Sequence, residues 1–328
     1  MIYSIQLLRF FAASLVVLNH SLGELNILPF GAIGVDIFFI ISGFIISFIT
    51  EKNSDHFLKK RFFRIAPMYW LFTFFIIFIS IYLPDILRSS NYDLTHTFFS
   101  LFFIPYWTDT TAFSPILKLG WTLNFEMFFY LIFYFCMRLN YKNREILSSI
   151  LLLIIYFTLA AFLLSDTSPF SFYADTIIFE FIFGMLLAVV YKNKSSLFNS
   201  YGSKVSLFLV CSSLIFLIST HYFSFSGGYR YIFWGMPALL CVVAFLSCEK
   251  YMKNENFKKF AVIGGDISYP LYLIHIYIIA FMNRVLFESI NIYFLFFFGL
   301  LISCLVSYFV LVIFDNPIRR KLNSIFLK

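Results

Sequence analysis

Two residues of the first apolar run, Arg9 and His20, stand eleven positions apart. On a helix, at about 100° per residue, that spacing returns to within about 20° of one face and separates the pair by about 16 Å. A charged side chain at the centre of a bilayer costs about 2.5–3.5 kcal/mol even on mild insertion scales, so such positions are functional candidates. Asp36, Glu126, Glu180, His275 and Arg284 also interrupt apolar runs. A histidine beside a carboxylate is the usual arrangement for taking a proton from a hydroxyl. His20, Asp36 and Glu126 could do that chemistry together, or could be a polar knot that ties helices to one another. Glu180 calls for a buried partner and reads as structural. His275 fits either a hydrogen-bonded packing residue or a pocket wall. A second pattern is K-K-R-F-F-R, residues 59–64. Arg61 and Arg64 share a helix face, and paired guanidinium forks can grip a phosphate or pyrophosphate. Basic residues flanking a membrane span would give the same string.

These residues need elements to hold them. Of the 328 residues, 61% are hydrophobic and 12% charged, and the mean hydropathy is +0.88. A soluble domain carries roughly 45–50% apolar and about 25% charged residues. The composition therefore calls for an integral membrane protein and excludes disorder, collagen and a disulfide scaffold. Ten apolar segments stand out, at about residues 5–22, 33–50, 66–83, 121–139, 146–164, 175–191, 205–220, 231–248, 267–287 and 291–314. Their Phe, Ile and Leu runs lack the alternation of barrel strands, so helices are expected. Pro270 should kink or break the ninth near its start.

Charge orients the segments. Of the 24 basic residues, 19 fall in connections that would share one side: 51–65, 138–145, 192–204, 249–266 and 315–328. By the positive-inside rule that side is the cytoplasm, and both termini lie there. The net charge of +7 is thereby a topology signal, and no nucleic-acid partner is expected. His20, Asp36 and Glu126 then fall in one outer layer. The long connection 84–120 holds an apolar stretch from Phe98 to Trp107. It is too short to span and predicts a re-entrant or interfacial piece. Cys136, Cys211, Cys241, Cys248 and Cys304 form no C-x-x-C pair and read as small buried hydrophobes. No metal-ligand spacing, internal repeat or phosphate-binding glycine loop is present in the string.

Several strings also resemble a known family. I-Q-L-L-R-F-F-A-A-S-L-V-V-L-N-H (5–20), G-V-D-I-F-F-I-I-S-G-F (34–44) and R-F-F-R (61–64) are similar to blocks of membrane-bound acyltransferase family 3. So are W-T-L-N-F-E-M-F-F-Y (121–130), I-S-Y-P-L-Y-L-I-H (267–275) and F-D-N-P (314–317). This family includes O-antigen and other bacterial surface-glycan O-acetyltransferases. The blocks fall in order along nearly the whole chain. Thr122 replaces a common Ser and Asp315 a common Glu, which puts the local roles of those two positions in doubt.

The resemblance implies an all-α polytopic bundle of about ten transmembrane helices forming a single domain, residues 1–328, without a fused extracytoplasmic domain. It implies transfer of an acyl group, most often acetyl, from cytoplasmic acyl-coenzyme A to a hydroxyl of a cell-surface glycan or its lipid-linked precursor. The setting would be the bacterial inner membrane. Acyl-coenzyme A would be a substrate, with no permanently bound cofactor. On this reading Arg61 and Arg64 hold the donor phosphates and Arg9 lines the path of its pantetheine arm. His20 acts as general base or as acyl-carrying nucleophile. Asp36 or Glu126 orients its ring, and Trp121, Tyr272 and His275 contact the acceptor. Trp121 would serve equally as an interfacial belt residue. Membrane lipid surrounds the bundle, and the oligomeric state is open. The competing class is a transporter or flippase for glycan lipids or acyl groups, with the polar residues lining a path.

Overall fold

A computed structural model of the chain describes residues 1–22, 32–50, 55–82, 93–108, 112–163, 169–200, 203–219, 229–285 and 292–327. The described chain is nearly all helical, as expected for apolar runs that must satisfy their backbone polar groups internally. The helices are α1 (Tyr3–Leu22), α2 (Ile33–Thr50), α3 (Phe57–Tyr82), α4 (Leu94–Leu101), α5 (Trp121–Leu139), α6 (Arg144–Leu163) and α7 (Ile178–Asn193). They continue with α8 (Ser195–Ser200), α9 (Ser203–Ser219), α10 (Met236–Cys248), α11 (Glu255–Val285), α12 (Ile292–Val310) and α13 (Asn316–Phe326). Single π-helical turns, Tyr231–Gly235 and Leu311–Asp315, lead into α10 and α13. Among the described residues, 7 helical stretches are long and apolar enough to cross a membrane. The protein is a helical membrane bundle. α1 is long enough to cross, but Gln6, Arg9, Asn19 and His20 lower its hydropathy.

Two helices outrun their expected limits. α3 begins at Phe57 and α11 at Glu255, within the basic stretches that precede residues 66 and 267. α11 is continuous through Pro270, as α3 is through Pro67. The expected break at Pro270 is therefore absent: surrounding helix packing holds the turn whose hydrogen bond the proline removes. Cys211 is exposed, whereas Cys136 and Cys241 are buried. The apolar stretch from Phe98 becomes the short α4, followed by Phe103 at a φ of 60° and the two-residue pair Trp107–Thr108 with Ala112–Phe113.

The chain divides into two compact units, residues 1–53 with 176–308, and 54–175 with 309–328. In the first, α1 lies along α11 and against α2, and α2 packs on α7. Gln6 and Phe10, early in α1, meet Gly265 and Gly264 of α11, and His20, late in α1, meets His275 further along α11. The two helices are therefore parallel. Both carboxylate oxygens of Glu249 accept backbone N–H bonds at the start of α1, from Tyr3 (3.0 Å) and Ser4 (2.7 Å). A negative group there satisfies orphan donors and complements the helix dipole.

The α2 and α7 backbones lie in direct contact. A Cβ at Gly43 would strike the carbonyl oxygen of Phe181, and one at Gly184 that of Ile40. Small residues permit such backbone contact between membrane helices, where apolar burial gives little drive. In the second unit α5 packs on α3 and α6, and α13 returns to α3. Trp70 Nε1 donates to the Leu101 carbonyl at 2.9 Å, and the Ile116 N–H to Ser100 Oγ at 3.0 Å. The first bond ties α4 to α3, and the second ties the segment after the strand pair to α4.

The glycine contact yields a test. Gly184→Val should cost about 1–3 kcal/mol through overpacking. It should lower the thermal unfolding midpoint in detergent. Gly299→Ala is the control, since its nearest neighbour, Ile279 Cγ1, stands at an ordinary 3.6 Å. Equal midpoints for both variants would refute the tight α2–α7 contact.

Candidate active site

The first unit brings His20 onto His275. His20 closes α1, and α11 carries His275 one turn beyond Leu271. His275 Nε2 lies 3.1 Å from His20 Nδ1, with ring centroids 5.0 Å apart and planes tilted by 58°. His275 Nδ1 is 3.1 Å from the Leu271 carbonyl, and His20 Nδ1 is 2.9 Å from the Val16 carbonyl. His275 is fully buried and His20 half-buried.

These partners assign the neutral tautomers. A carbonyl oxygen only accepts, so His275 Nδ1 carries its hydrogen and donates to Leu271. Its Nε2 is then an acceptor. His20 Nδ1 faces two acceptors, His275 Nε2 and the Val16 carbonyl, and so carries the hydrogen of that ring. His20 Nε2 is left with a lone pair. A histidine held in this way is a base in the correct tautomer, the condition that a carboxylate satisfies in serine hydrolase triads.

The sequence reading offered Asp36 or Glu126 as the group that orients His20; the side chain on its Nδ1 is His275. Asp36, fully buried in the first turn of α2, is taken by Arg230. Arg230 Nε donates to Asp36 Oδ1 at 3.0 Å and Nη2 to Oδ2 at 2.9 Å. The guanidinium also lies over the Trp234 ring, 4.6 Å from its centroid. Glu180 is fully buried beside them, its carboxyl against that of Asp36. A Cβ at Gly235 would come within 3.0 Å of Glu180 Oε1. The π-helical turn thus presents bare backbone to the Glu180 carboxyl.

The other candidates are placed as follows. Arg9 is buried, and its Nη1 donates to Gln6 Oε1 at 3.1 Å. Tyr272 is buried in α11, edge-on to Phe38 at 5.9 Å and 6.3 Å from the His275 ring. Arg61, Arg64, Trp121 and Glu126 belong to the second unit. There the Tyr130 hydroxyl donates to Glu126 Oε1, one turn back on α5. Arg61 Cζ lies 6.0 Å from the Tyr130 ring, and Arg61 Nε is buried with no hydrogen-bond partner among the described residues. Arg64 is half-buried one turn further along α3. Trp121 opens α5 and packs edge-on against Phe125 at 6.1 Å. The side chain of Arg284 lies outside the described residues.

Comparison with known proteins decides the class. A family model described as an acyltransferase domain matches residues 2–313. The chain belongs to the acyltransferase family. The exopolysaccharide production protein ExoZ of Rhizobium meliloti (strain 1021) is 31% identical to this family member over 266 residues, covering 77% of the chain and 78% of ExoZ. The O-acetyltransferase OatA of Staphylococcus aureus (strain NCTC 8325 / PS 47) is 24% identical, over 96% of the chain and 56% of OatA. The peptidoglycan O-acetyltransferase OatA of Listeria monocytogenes is 29% identical, over 78% of the chain and 46% of its own length. The chain thus spans about half the length of the two OatA relatives. No solved structure matches the chain.

Arg230, one of the five basic residues outside the five basic connections, is not singled out by the sequence. Its place immediately before the apolar segment 231–248 was the available signal, since a lone arginine there needs a counter-charge.

The ion pair between fully buried Asp36 and the partly exposed Arg230 can be tested directly. Removing one partner of a fully buried pair typically costs about 3–5 kcal/mol, and the exposed edge of Arg230 lowers that figure here. Asp36→Ala should therefore destabilise. Asp36→Leu combined with Arg230→Met should cost less than the sum of the two single changes. Additive effects in the double-mutant cycle would show that the two side chains are not coupled.

Proposed function

We propose that this acyltransferase moves an acetyl group from acyl-coenzyme A to a hydroxyl of a bacterial envelope glycan or its lipid-linked precursor. The observation that carries the reading is the His20–His275 contact, which leaves His20 Nε2 as a base. His20 Nε2 takes the acceptor hydroxyl proton as that oxygen attacks the thioester carbonyl. The C–O bond forms, the C–S bond breaks, and the proton passes from His20 to the departing thiolate. His275 is a positioning residue that holds the tautomer and the ring plane. Asp36 serves with Arg230 to fix α2, and Glu126 acts through its bond to Tyr130.

Support for the acceptor class comes from the relatives, whose names refer to exopolysaccharide and peptidoglycan. For the donor it comes from Arg61 and Arg64, a turn apart on α3, suited to phosphate oxygens. The charge asymmetry supports ten crossings of the inner membrane with both termini cytoplasmic, and the parallel course of α1 and α11 agrees with that parity.

The test is transfer of radiolabelled acetyl from acetyl-coenzyme A to purified glycan acceptor, with purified protein in nanodiscs. His20→Ala should lower the rate by about 10²–10⁴-fold, the usual size of a general-base contribution. His275→Leu should lower kcat with little change in either KM. His275→Gln restores an acceptor for His20 Nδ1–H and should recover part of the loss. Equal rates for His275→Leu and the parent would remove His275 from the mechanism. A well-folded His20→Ala protein of normal activity would refute the base.

A further inference from the structure

The second unit contains an open cavity of about 610 Å³ between the start of α3 and the end of α5. His56, Lys59 and Arg138 line it, with Asp55 as the one acidic lining residue. Its aromatic lining comes from Phe57, Tyr134 and Tyr141. The Phe57 and Tyr134 rings are parallel within 2°, with centroids 6.5 Å apart. Among the described residues His56, Lys59 and Arg138 make no ion pair. His56 has a φ of 53°, a left-handed conformation that costs a non-glycine residue energy.

Lys59 and Arg138 beside a concave, aromatic-lined space suit a ligand that is both anionic and flat. Phosphate monoesters and diphosphates meet lysine as a point charge and arginine as a planar fork. A nucleobase stacks on aromatic faces. An anionic phospholipid headgroup shares the phosphate but has no ring to stack. The volume also lies in the range of about 300–1,000 Å³ usual for small-molecule sites.

We propose that this cavity receives a phosphorylated nucleoside, the nucleotide end of the acyl donor. Lys59 and Arg138 contact its phosphates, and Tyr134 or Tyr141 stacks on its base. The assignment rests on the acyl-coenzyme A reading above. It extends that reading by setting the nucleotide against the α3 and α5 ends, below Arg61 and Arg64.

The probe is adenosine 3′,5′-bisphosphate, which has the phosphates and base but no thioester. Its binding to the full-length protein in neutral-lipid nanodiscs is measured by calorimetry, separately from acetyl transfer. The parent should bind it, and K59Q/R138Q should bind at least about tenfold more weakly, as expected for lost hydrogen bonds to charged groups. The charge-conserving K59R/R138K variant, which guards against a folding artefact, should bind more tightly than K59Q/R138Q. A Tyr134→Ala variant should also bind more weakly, and inorganic phosphate should compete poorly. Absence of binding to the parent, or equal binding by K59Q/R138Q, overturns the proposal even if acetyl transfer proceeds normally. If K59Q/R138Q loses retained anionic lipid in native mass spectrometry while binding the bisphosphate like the parent, the cavity is a headgroup site and the proposal falls. Bisphosphate binding without any acetyl transfer would instead leave the cavity assigned and refute the acyl-transfer reading.

Discussion

The candidate base depends on how closely α11 lies along α1. Gly264 and Gly265 leave room for the side chains of Phe10 and Gln6, so α11 can lie close along α1. From that contact they run in parallel, and His20 and His275 meet further along. The imidazole of His20 is therefore aligned by helix packing that begins several turns away. The Glu249 carboxylate bonded to the first turn of α1 fixes the same helix at its other end. A shift of α11 by one turn, about 5.4 Å, would carry His275 out of reach of His20.

The buried polar groups of the first unit are handled in different ways. Asp36 is met by a two-pronged guanidinium from a residue 194 positions later, and the pair keeps a full counter-charge inside the bundle. Arg9 is met by the Gln6 amide of its own helix. His20 and His275 are met by helix carbonyls and by each other. An uncompensated charge in an apolar medium is costly, and charged, amide and imidazole partners offset that cost to different degrees.

Much of the helical framework was legible in hydropathy, because long apolar runs permit little besides helices in a bilayer. Helix limits were less legible. Hydropathy falls at the basic residues in the first turns of α3 and α11, but helix propensity does not, so both helices begin well before their apolar runs. Single residues worth attention, such as His20, Asp36, Glu126 and His275, were legible because ionisable groups are conspicuous among Phe and Ile. Their pairing was not. His20 and His275 are 255 positions apart, and Asp36 and Arg230 are 194 apart. Spacing along one helix gives a face, not a partner on another helix. Only the packing of α1, α2, α7, α10 and α11 decides which polar group meets which.

The hydrogen-bond chain from His20 through His275 ends at the Leu271 carbonyl. A carbonyl can take no proton, so the chain is a cul-de-sac rather than a wire. Whatever His20 Nε2 picks up cannot drain inward through His275 and must leave by the face on which it arrived. A buried carboxylate in place of His275 would have supplied a negative charge and stabilised the imidazolium for longer. A neutral imidazole offers only a dipole. The arrangement suits a short-lived loan between two oxygen or sulfur atoms on the same side of the ring, and would serve poorly as a conduit for protons across the membrane.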